Sequence, residues 1–344
     1  MTKILIIRFS AIGDVAMTIP VIHSLALQHP ELEITVLSRA ILRPLFIGLP
    51  GNVHFMGADL HGKHKGLLGL HRLFYNELKV MDFDYVADLH DVLRTKIIRL
   101  RFKLMGIPTA YIHKGRLGKK RLTSRYHKVL ENQKSSFRRY TDVFKALGFP
   151  IQLNFTSIYG EGRGDITQVQ EITGEKGDSK WIGIAPFAKH KGKVLPLDKQ
   201  GEVIAHFAKD PRVKIFLFGG GKKEESILST WASEYPNVIS LIGKLNMNTE
   251  LILMSHLDAM VSMDSANMHL ASLVNAPVVS VWGATHPYCG FMGWKQSPMN
   301  AVQIDLPCRP CSVFGNKSCY RKDYACLNQI TPDMVIRKIE SIIF

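Results

Sequence analysis

No stretch of this 344-residue chain approaches the roughly 18 consecutive apolar residues of a membrane-spanning helix. The N-terminal apolar run, KILIIRF, is only seven residues long. It passes straight into Ser-Ala-Ile-Gly-Asp without a cleavage site, which argues against a secretory signal. Low-complexity segments and short-period repeats are missing, so a chain folded nearly throughout is expected. The G-x-G-x-x-G dinucleotide fingerprint is missing too. These gaps point to a cytoplasmic protein, at most peripheral on a membrane.

Acid is also scarce. Against 44 Lys+Arg stand 29 Asp+Glu, a net charge of +15 that favours nucleic acid, an acidic membrane surface or a phosphorylated substrate as partner. The excess concentrates in HKGRLGKKRLTSRYHKVLENQKSSFRR (113–139), where ten Lys/Arg meet one acid, Glu131. An ordinary solvated face mixes signs. The segment, with Lys119, Lys120 and Arg121 in it, reads equally as an exposed element or as an anion-binding one. It lacks the interleaved aromatics that stack on bases, which weighs against nucleic acid.

What is present is the pattern of a two-domain α/β protein. A hydrophobic fraction of 46% with 21% charged residues is that of a soluble globular chain, and this length suits two domains of about 150 residues each. Strand-like runs KILIIRF (3–9), LEITVLS (32–38), YVADLH (85–90) and TAYIH (109–113) alternate with helical stretches in the first half. From Trp181 the alternation restarts with WIGIAPF, VKIFLFGGG, VISLIG, DAMVSMDS and VVSVWG. The expected division is 1–158, a linker at 159–180, 181–330, and a final helix at 331–344. Both halves should carry parallel sheets.

In such domains ligands bind beyond the C-terminal ends of the strands, where helix N-termini present free N–H groups. Unusual polar residues fall at those ends. Gly13 and Asp14 follow the first strand, and Asp14 serves there either as a helix cap or as a general base. APFAKHKGKVLP (185–196) holds Lys191 and Lys193, cations that suit phosphate oxygens or mere solvent. FGGGKKEES (218–226) offers Gly220 for close backbone approach and Glu224 and Glu225 for ribose hydroxyls, or a plain turn. In SMDSANMHLASLVNAPVVSVWGATHP (262–287), Asp264 and Ser265 end a strand, Ala266 begins a helix and His269 lies on that helix; each also fits a cap or a core position. DFD (82–84) has the letters of a metal-binding D-x-D but enters a strand, the wrong end for a ligand, and reads as a turn.

The ordered set ILIIRFSAIGDVAMTIPVIHSL, YVADLH followed by Arg94, KGKVLP, FLFGGGKKEES and MDSANMHLASLVNAPVVSVWGATHP resembles family 9 glycosyltransferases, the ADP-heptose:lipopolysaccharide heptosyltransferases, over residues 3 to about 330. That resemblance implies a GT-B architecture of two Rossmann-like domains facing a central cleft, with the last helix crossing back onto the first domain. It implies that Asp14 is the base on the acceptor hydroxyl and Lys193 the lysine on the donor phosphates. Asp264 then lies near the donor sugar, and Ser265 and Ala266 near the diphosphate. Inversion at the anomeric carbon without a catalytic metal follows, with Arg94, Lys119, Lys120 and Arg121 serving an anionic glycolipid acceptor at the inner face of the cytoplasmic membrane.

Cys308, Cys311, Cys319 and Cys326 form C-x2-C-x7-C-x6-C. The spacing leaves structural zinc, reduced thiols and disulfides open, the last disfavoured in a reducing compartment. Competing functions are a related transferase using another nucleotide sugar, a basic nucleic-acid binder and a non-catalytic nucleotide-binding module.

Overall fold

The computed structural model describes residues 1–344 and divides into two compact units, Met1–Lys114 with Ser135–Gly160, and Gly115–Lys134 with Glu161–Phe344. None of its helices is long and apolar enough to cross a membrane.

The first unit runs β1 (Thr2–Ile7), α1 (Ile12–Ala16), α2 (Ile19–Gln28), β2 (Leu32–Arg39), β3 (Val53–Ala58), α3 (Gly66–Arg72), β4 (Tyr85–Asp88), α4 (Leu93–Leu104) and β5 (Thr109–Tyr111). Its sheet is parallel, in the order β3-β2-β1-β4-β5. Ile4 to Ile7 of the central strand are fully buried, as expected where helices cover both faces. The amphipathic stretch after β1 is two helices: the Thr18 hydroxyl donates to the Val15 carbonyl at 2.7 Å, and Pro20, in the first turn of α2, suits a restart there. Asp82, of the DFD run, has φ 55° and Asp84 accepts the Lys3 N–H at 2.7 Å, so this run is a turn before β4.

The next helix, α5 (Arg116–Leu122), belongs to the second unit, whereas α6 (Ser136–Ala146) returns to the first. Ser135 caps α6 by accepting the Arg138 N–H, and Phe137, Tyr140, Val143 and Phe144 form its buried stripe.

The second unit continues with α7 (Gln170–Thr173), β6 (Lys180–Ala185), α8 (Leu197–Ala208), β7 (Val213–Leu217), α9 (Lys222–Glu234), β8 (Val238–Ser240), α10 (Met247–Ser255), β9 (Ala259–Met263), α11 (Ala266–Leu273), β10 (Val278–Val281), β11 (Ala301–Val302), α12 (Ala325–Asn328) and α13 (Pro332–Ile343). Its six strands are parallel in the order β11-β10-β9-β6-β7-β8.

Two features depart from the expected layout. The basic segment 115–134 folds with the second unit, fastened by Lys128 Nζ on the Pro310 carbonyl at 2.6 Å and by the Gln133 N–H on the Tyr288 carbonyl at 2.9 Å. The final helix, expected on the first domain, instead packs on α8 and on β9, β10 and β11. The reason is its apolar face: Val335, Ile339 and Ile343 recur every four residues and complete the second unit's core beside Val203, Ile204 and Phe207.

Candidate active site

In the first unit the site begins where β1 ends. Arg8 is the first residue after β1, and its guanidinium is buried yet bound: Nη1 donates to the Leu89 carbonyl at 2.6 Å and Nη2 lies 3.0 Å from Asp14 Oδ2. Asp14 is not the helix cap. It stands one turn in, where its carboxylate reaches back to accept the Ala11 N–H at 3.1 Å, half of a capping box. Its side chain still keeps about a third of its surface in solvent, at 36%. The Tyr140 hydroxyl of α6 donates to the Asp14 carbonyl at 3.3 Å, holding that turn from behind.

His90, after β4, completes this group by accepting the Phe9 N–H at its Nδ1. Burial, joined by the positive charges of Arg8, Lys114 and Arg94 and partly offset by Asp14, drives the imidazole down to about 3. It is therefore neutral at physiological pH. Behind it, fully buried Asp88 accepts the N–H groups of His90 and Asp91 at 2.9 and 2.8 Å and pairs with Arg99 at 2.8 Å, which fixes the loop after β4. Arg94 is exposed in the first turn of α4. The result is one solvent-facing carboxylate among cations, at the C-terminal ends of two adjacent parallel strands.

In the second unit Lys193 ends a short turn, Lys191–Lys193, that follows β6. Its ammonium lies 2.8 Å from the Asp264 carboxylate and donates to the Asp264 carbonyl at 2.9 Å. Its aliphatic stem lies against Gly315, whose φ of 73° and missing Cβ leave that space free. Lys191 does not share this contact; it is exposed, over the Tyr324 ring at 5.1 Å. Asp264 is only 4% exposed, at the end of β9. Ser265 precedes α11, but its hydroxyl meets Ser262 Oγ at 3.2 Å and no side chain caps the helix. The N–H groups from Ala266 onward thus remain for an anion. His269 lies one turn on and is buried.

The remaining expected donor residues are dispersed. Gly220 is exposed and its N–H is taken by Glu224 Oε2 at 2.8 Å, so Glu224 braces the glycine loop, while Glu225 is exposed. Gly13 lies in the first unit beside Asp14. Among the basic residues, Lys120 and Arg121 are exposed, but Lys119 is not: it is 9% exposed with its ammonium 4.2 Å from the Phe291 ring centre. Lys119 is thus held within the second unit, whereas Lys120 and Arg121 face solvent.

The spacing of the four clustered cysteines left structural zinc, reduced thiols and disulfides open, and the structure has them as unpaired thiols. All five cysteines are free, and no three or more His, Cys, Asp or Glu side chains are arranged to hold a metal ion. Cys311 Sγ turns to the Ala284 carbonyl at 3.9 Å and Cys319 Sγ to Asp323 Oδ1 at 3.8 Å, and burial pushes the Cys326 thiol up to about 11. Cys289 lies apart and is fully buried.

Two arginines went unnoticed in the sequence. Arg8 had a signal, a cation closing an apolar strand six residues before an acid. Arg309 had none, since its neighbours in the chain are Cys308 and Pro310. It is buried and donates to the carbonyls of Gly283, Trp282, Thr285 and Ile304 and to the Gln303 amide oxygen, fixing the loop after β10.

With both sites described, the comparison with known proteins is decisive: the profile of glycosyltransferase family 9 (heptosyltransferase) matches residues 71–320. The chain belongs to glycosyltransferase family 9. The matched span holds Arg94, Lys193 and Asp264 and begins after Asp14. A lipooligosaccharide heptosyltransferase 2 from Haemophilus influenzae is 24% identical over 99% of this chain and 99% of its own length, which takes in Asp14. The Campylobacter jejuni enzyme of the same name is 26% identical, over 38% of this chain and 41% of its own length. The structure of Escherichia coli ADP-heptose lps heptosyltransferase II superposes with a TM-score of 0.72 at 19% identity, covering 99% of this chain and 98% of that one. The family 9 chain therefore has the GT-B type of fold, two α/β units with parallel sheets.

Proposed function

We propose that this family 9 glycosyltransferase moves heptose from ADP-heptose onto a phosphorylated glycolipid of the lipopolysaccharide core, inverting the anomeric carbon. The observation that carries this reading is the Asp14 carboxylate. It is held by Arg8 and the Ala11 N–H and still open to solvent, in a chain of a heptosyltransferase family.

The acceptor hydroxyl gives its proton to Asp14 as its oxygen forms a bond to the anomeric carbon. The bond from that carbon to the β-phosphate oxygen breaks on the opposite face, and ADP departs with the electron pair. Lys193 and the N–H groups at the start of α11 balance the charge that develops on the diphosphate, a task a metal performs in other enzymes, so no catalytic cofactor is needed. Asp264 orients Lys193 and lies near the sugar hydroxyls. His90, whose imidazole burial holds down to about 3, is a weak proton acceptor, which leaves Asp14 as the base of the first unit.

The acceptor is anionic, which suits Arg94, Lys120 and Arg121, and the enzyme works peripherally at the cytoplasmic face of the inner membrane. Nucleic acid is not a partner. The test is ADP release from ADP-heptose by purified protein, with and without a core glycolipid acceptor, in the presence and absence of EDTA. Release that depends on acceptor and ignores EDTA supports the reading. Faster turnover of UDP-, GDP- or CDP-linked sugars overturns the donor assignment, and loss of turnover with EDTA that magnesium restores overturns the mechanism. Thermal stabilisation by double-stranded DNA but not by ADP argues for the nucleic-acid alternative.

A further inference from the structure

The basic segment that folds with the second unit forms one wall of a cavity that lies outside the Lys193–Asp264 site and shares only Lys120 with the residues assigned above. The cavity has a volume of about 340 Å³ and is lined by Lys120, Thr123, Ser124 and Arg125 on one side and by Cys308, Cys311, Lys317, Ser318 and Tyr320 on the other. That volume is at the lower end of small-molecule sites, which run from about 300 Å³. Three cations and no carboxylate line it. A half-open pocket of this composition has a surplus of positive charge that an anion neutralises.

Its cations are held in different ways. The Arg125 guanidinium lies 4.7 Å from the Tyr320 ring centre and 5.4 Å from that of Tyr126, so it is positioned by two aromatic faces with its N–H edge unspent on any acid. Lys120 and Lys317 are exposed on flexible stems. The wall is rigid where it needs to be: Ser124 Oγ donates to the Tyr126 carbonyl, and Lys128 bonds the carbonyls of Leu122 and Pro310 at 3.2 and 2.6 Å, which ties the basic segment to the cysteine loop. Thr123, Ser124, Ser318 and Tyr320 add hydroxyls, and a tyrosine ring offers a face on which a sugar ring can lie.

We propose that this cavity binds a phosphoryl-bearing saccharide, with Arg125, Lys120 and Lys317 on the phosphoryl oxygens and the hydroxyls and Tyr320 on the sugar. The choice of a saccharide rests on the proposed acceptor class; the choice of an anion rests on the lining alone. It is a site separate from the Lys193–Asp264 pair, and it gives the basic segment a recognition role in place of a general attraction to membranes.

Because Cys308 and Cys311 line the cavity, occupancy is readable without turnover. The full-length protein is treated with iodoacetamide, and alkylation of each cysteine is followed by mass spectrometry with glucose 6-phosphate, glucose, inorganic phosphate or ADP present at about 10 mM. Glucose 6-phosphate is expected to slow alkylation of Cys308 and Cys311 by about fivefold or more, with the fully buried Cys289, which reacts only on unfolding, as the internal control and ADP and glucose without effect. Lys317→Gln, which removes no internal contact, should weaken the protection, and Arg125→Gln with Lys317→Gln should abolish it while the melting temperature is kept. Absence of protection, or protection that survives the double substitution, overturns the site. Equal protection by inorganic phosphate overturns its saccharide part. Transfer of heptose without any protection removes the cavity and leaves the enzyme, whereas protection in a protein that transfers no sugar removes the acceptor reading and leaves the anion site.

Discussion

The Arg8 guanidinium lies 3.0 Å from the Asp14 carboxylate while its other nitrogen is fixed on the Leu89 carbonyl, so a buried cation at the end of β1 aims an acid that solvent reaches. A simple cap would not need this backing. Asp14→Asn keeps an oxygen that accepts the Ala11 N–H but cannot take a proton. The expected result is a loss of heptosyl transfer of about 10²–10⁴-fold, with ADP affinity and melting temperature little changed. Turnover retained alongside a clear drop in melting temperature would reduce Asp14 to a structural role.

Lys193 and Asp264 form a nearly buried pair at 2.8 Å, with side-chain exposures of 15% and 5%. Lys193→Ala removes the proposed phosphate ligand and also strands the carboxylate. It should therefore weaken ADP binding by about tenfold or more and destabilise the protein by about 3 kcal/mol. Adding Asp264→Asn should recover stability without recovering ADP affinity. Lys191→Ala, on an exposed residue over Tyr324, should do neither. Calorimetric ADP titrations and thermal melts of the four proteins decide; full recovery of ADP affinity in the double variant would show that Lys193 only balances Asp264.

The two parallel sheets were legible because their strands are short apolar runs ending in Gly, Asp or Ser, and each motif at a strand end lies where the topology puts it. Two edge strands gave no such signal: Ala301–Val302 has only two residues, and Val53–Ala58 is mostly half-exposed, with His54 and Gly57 breaking its apolar run. The first-domain placement of the last helix comes from the resemblance alone; its own stripe of Val335, Ile339 and Ile343 says that it is buried but not against what, and it packs within the second unit. Charge marks Lys119 as basic but does not reveal that a residue distant in sequence, Phe291, lies against it. The cysteine spacing leaves the thiols' state open for a related reason: a chain interval of C-x2-C-x7-C-x6-C limits how far thiols lie apart but not which way they face, and here the Ala284 carbonyl and Asp323 take two of them.

Arg309 supplies a stability prediction with no catalytic content. Its guanidinium serves four backbone carbonyls and the Gln303 amide in a buried loop. Arg309→Met leaves those acceptors without donors at a cost of about 3 kcal/mol or more, and Arg309→Lys recovers little, because one ammonium cannot reach the same fan of oxygens. Urea denaturation followed by tryptophan fluorescence, to which Trp282 contributes, reads the change. A loss below about 1 kcal/mol for Arg309→Met would mean that water replaces the guanidinium.

Glu250 gives a pH dependence whose sign can be worked out. It lies on α10, half-buried, and burial pushes its carboxyl up to about 7 from an ordinary 4.5. The folded state therefore holds this proton more tightly than the unfolded chain does. Its contribution to stability is fully present below about 4.5, is lost as pH rises through about 7, and stays lost above that. Glu250→Gln imitates the protonated form at every pH. The variant should be more stable than the native protein at pH 8 by on the order of 2 kcal/mol, with the advantage shrinking through neutrality and vanishing near pH 4. Taking the difference between the two proteins at each pH cancels every other titrating group. A difference that is zero at pH 8, or that persists unchanged on acidification, would show that the carboxyl is well solvated in the folded protein.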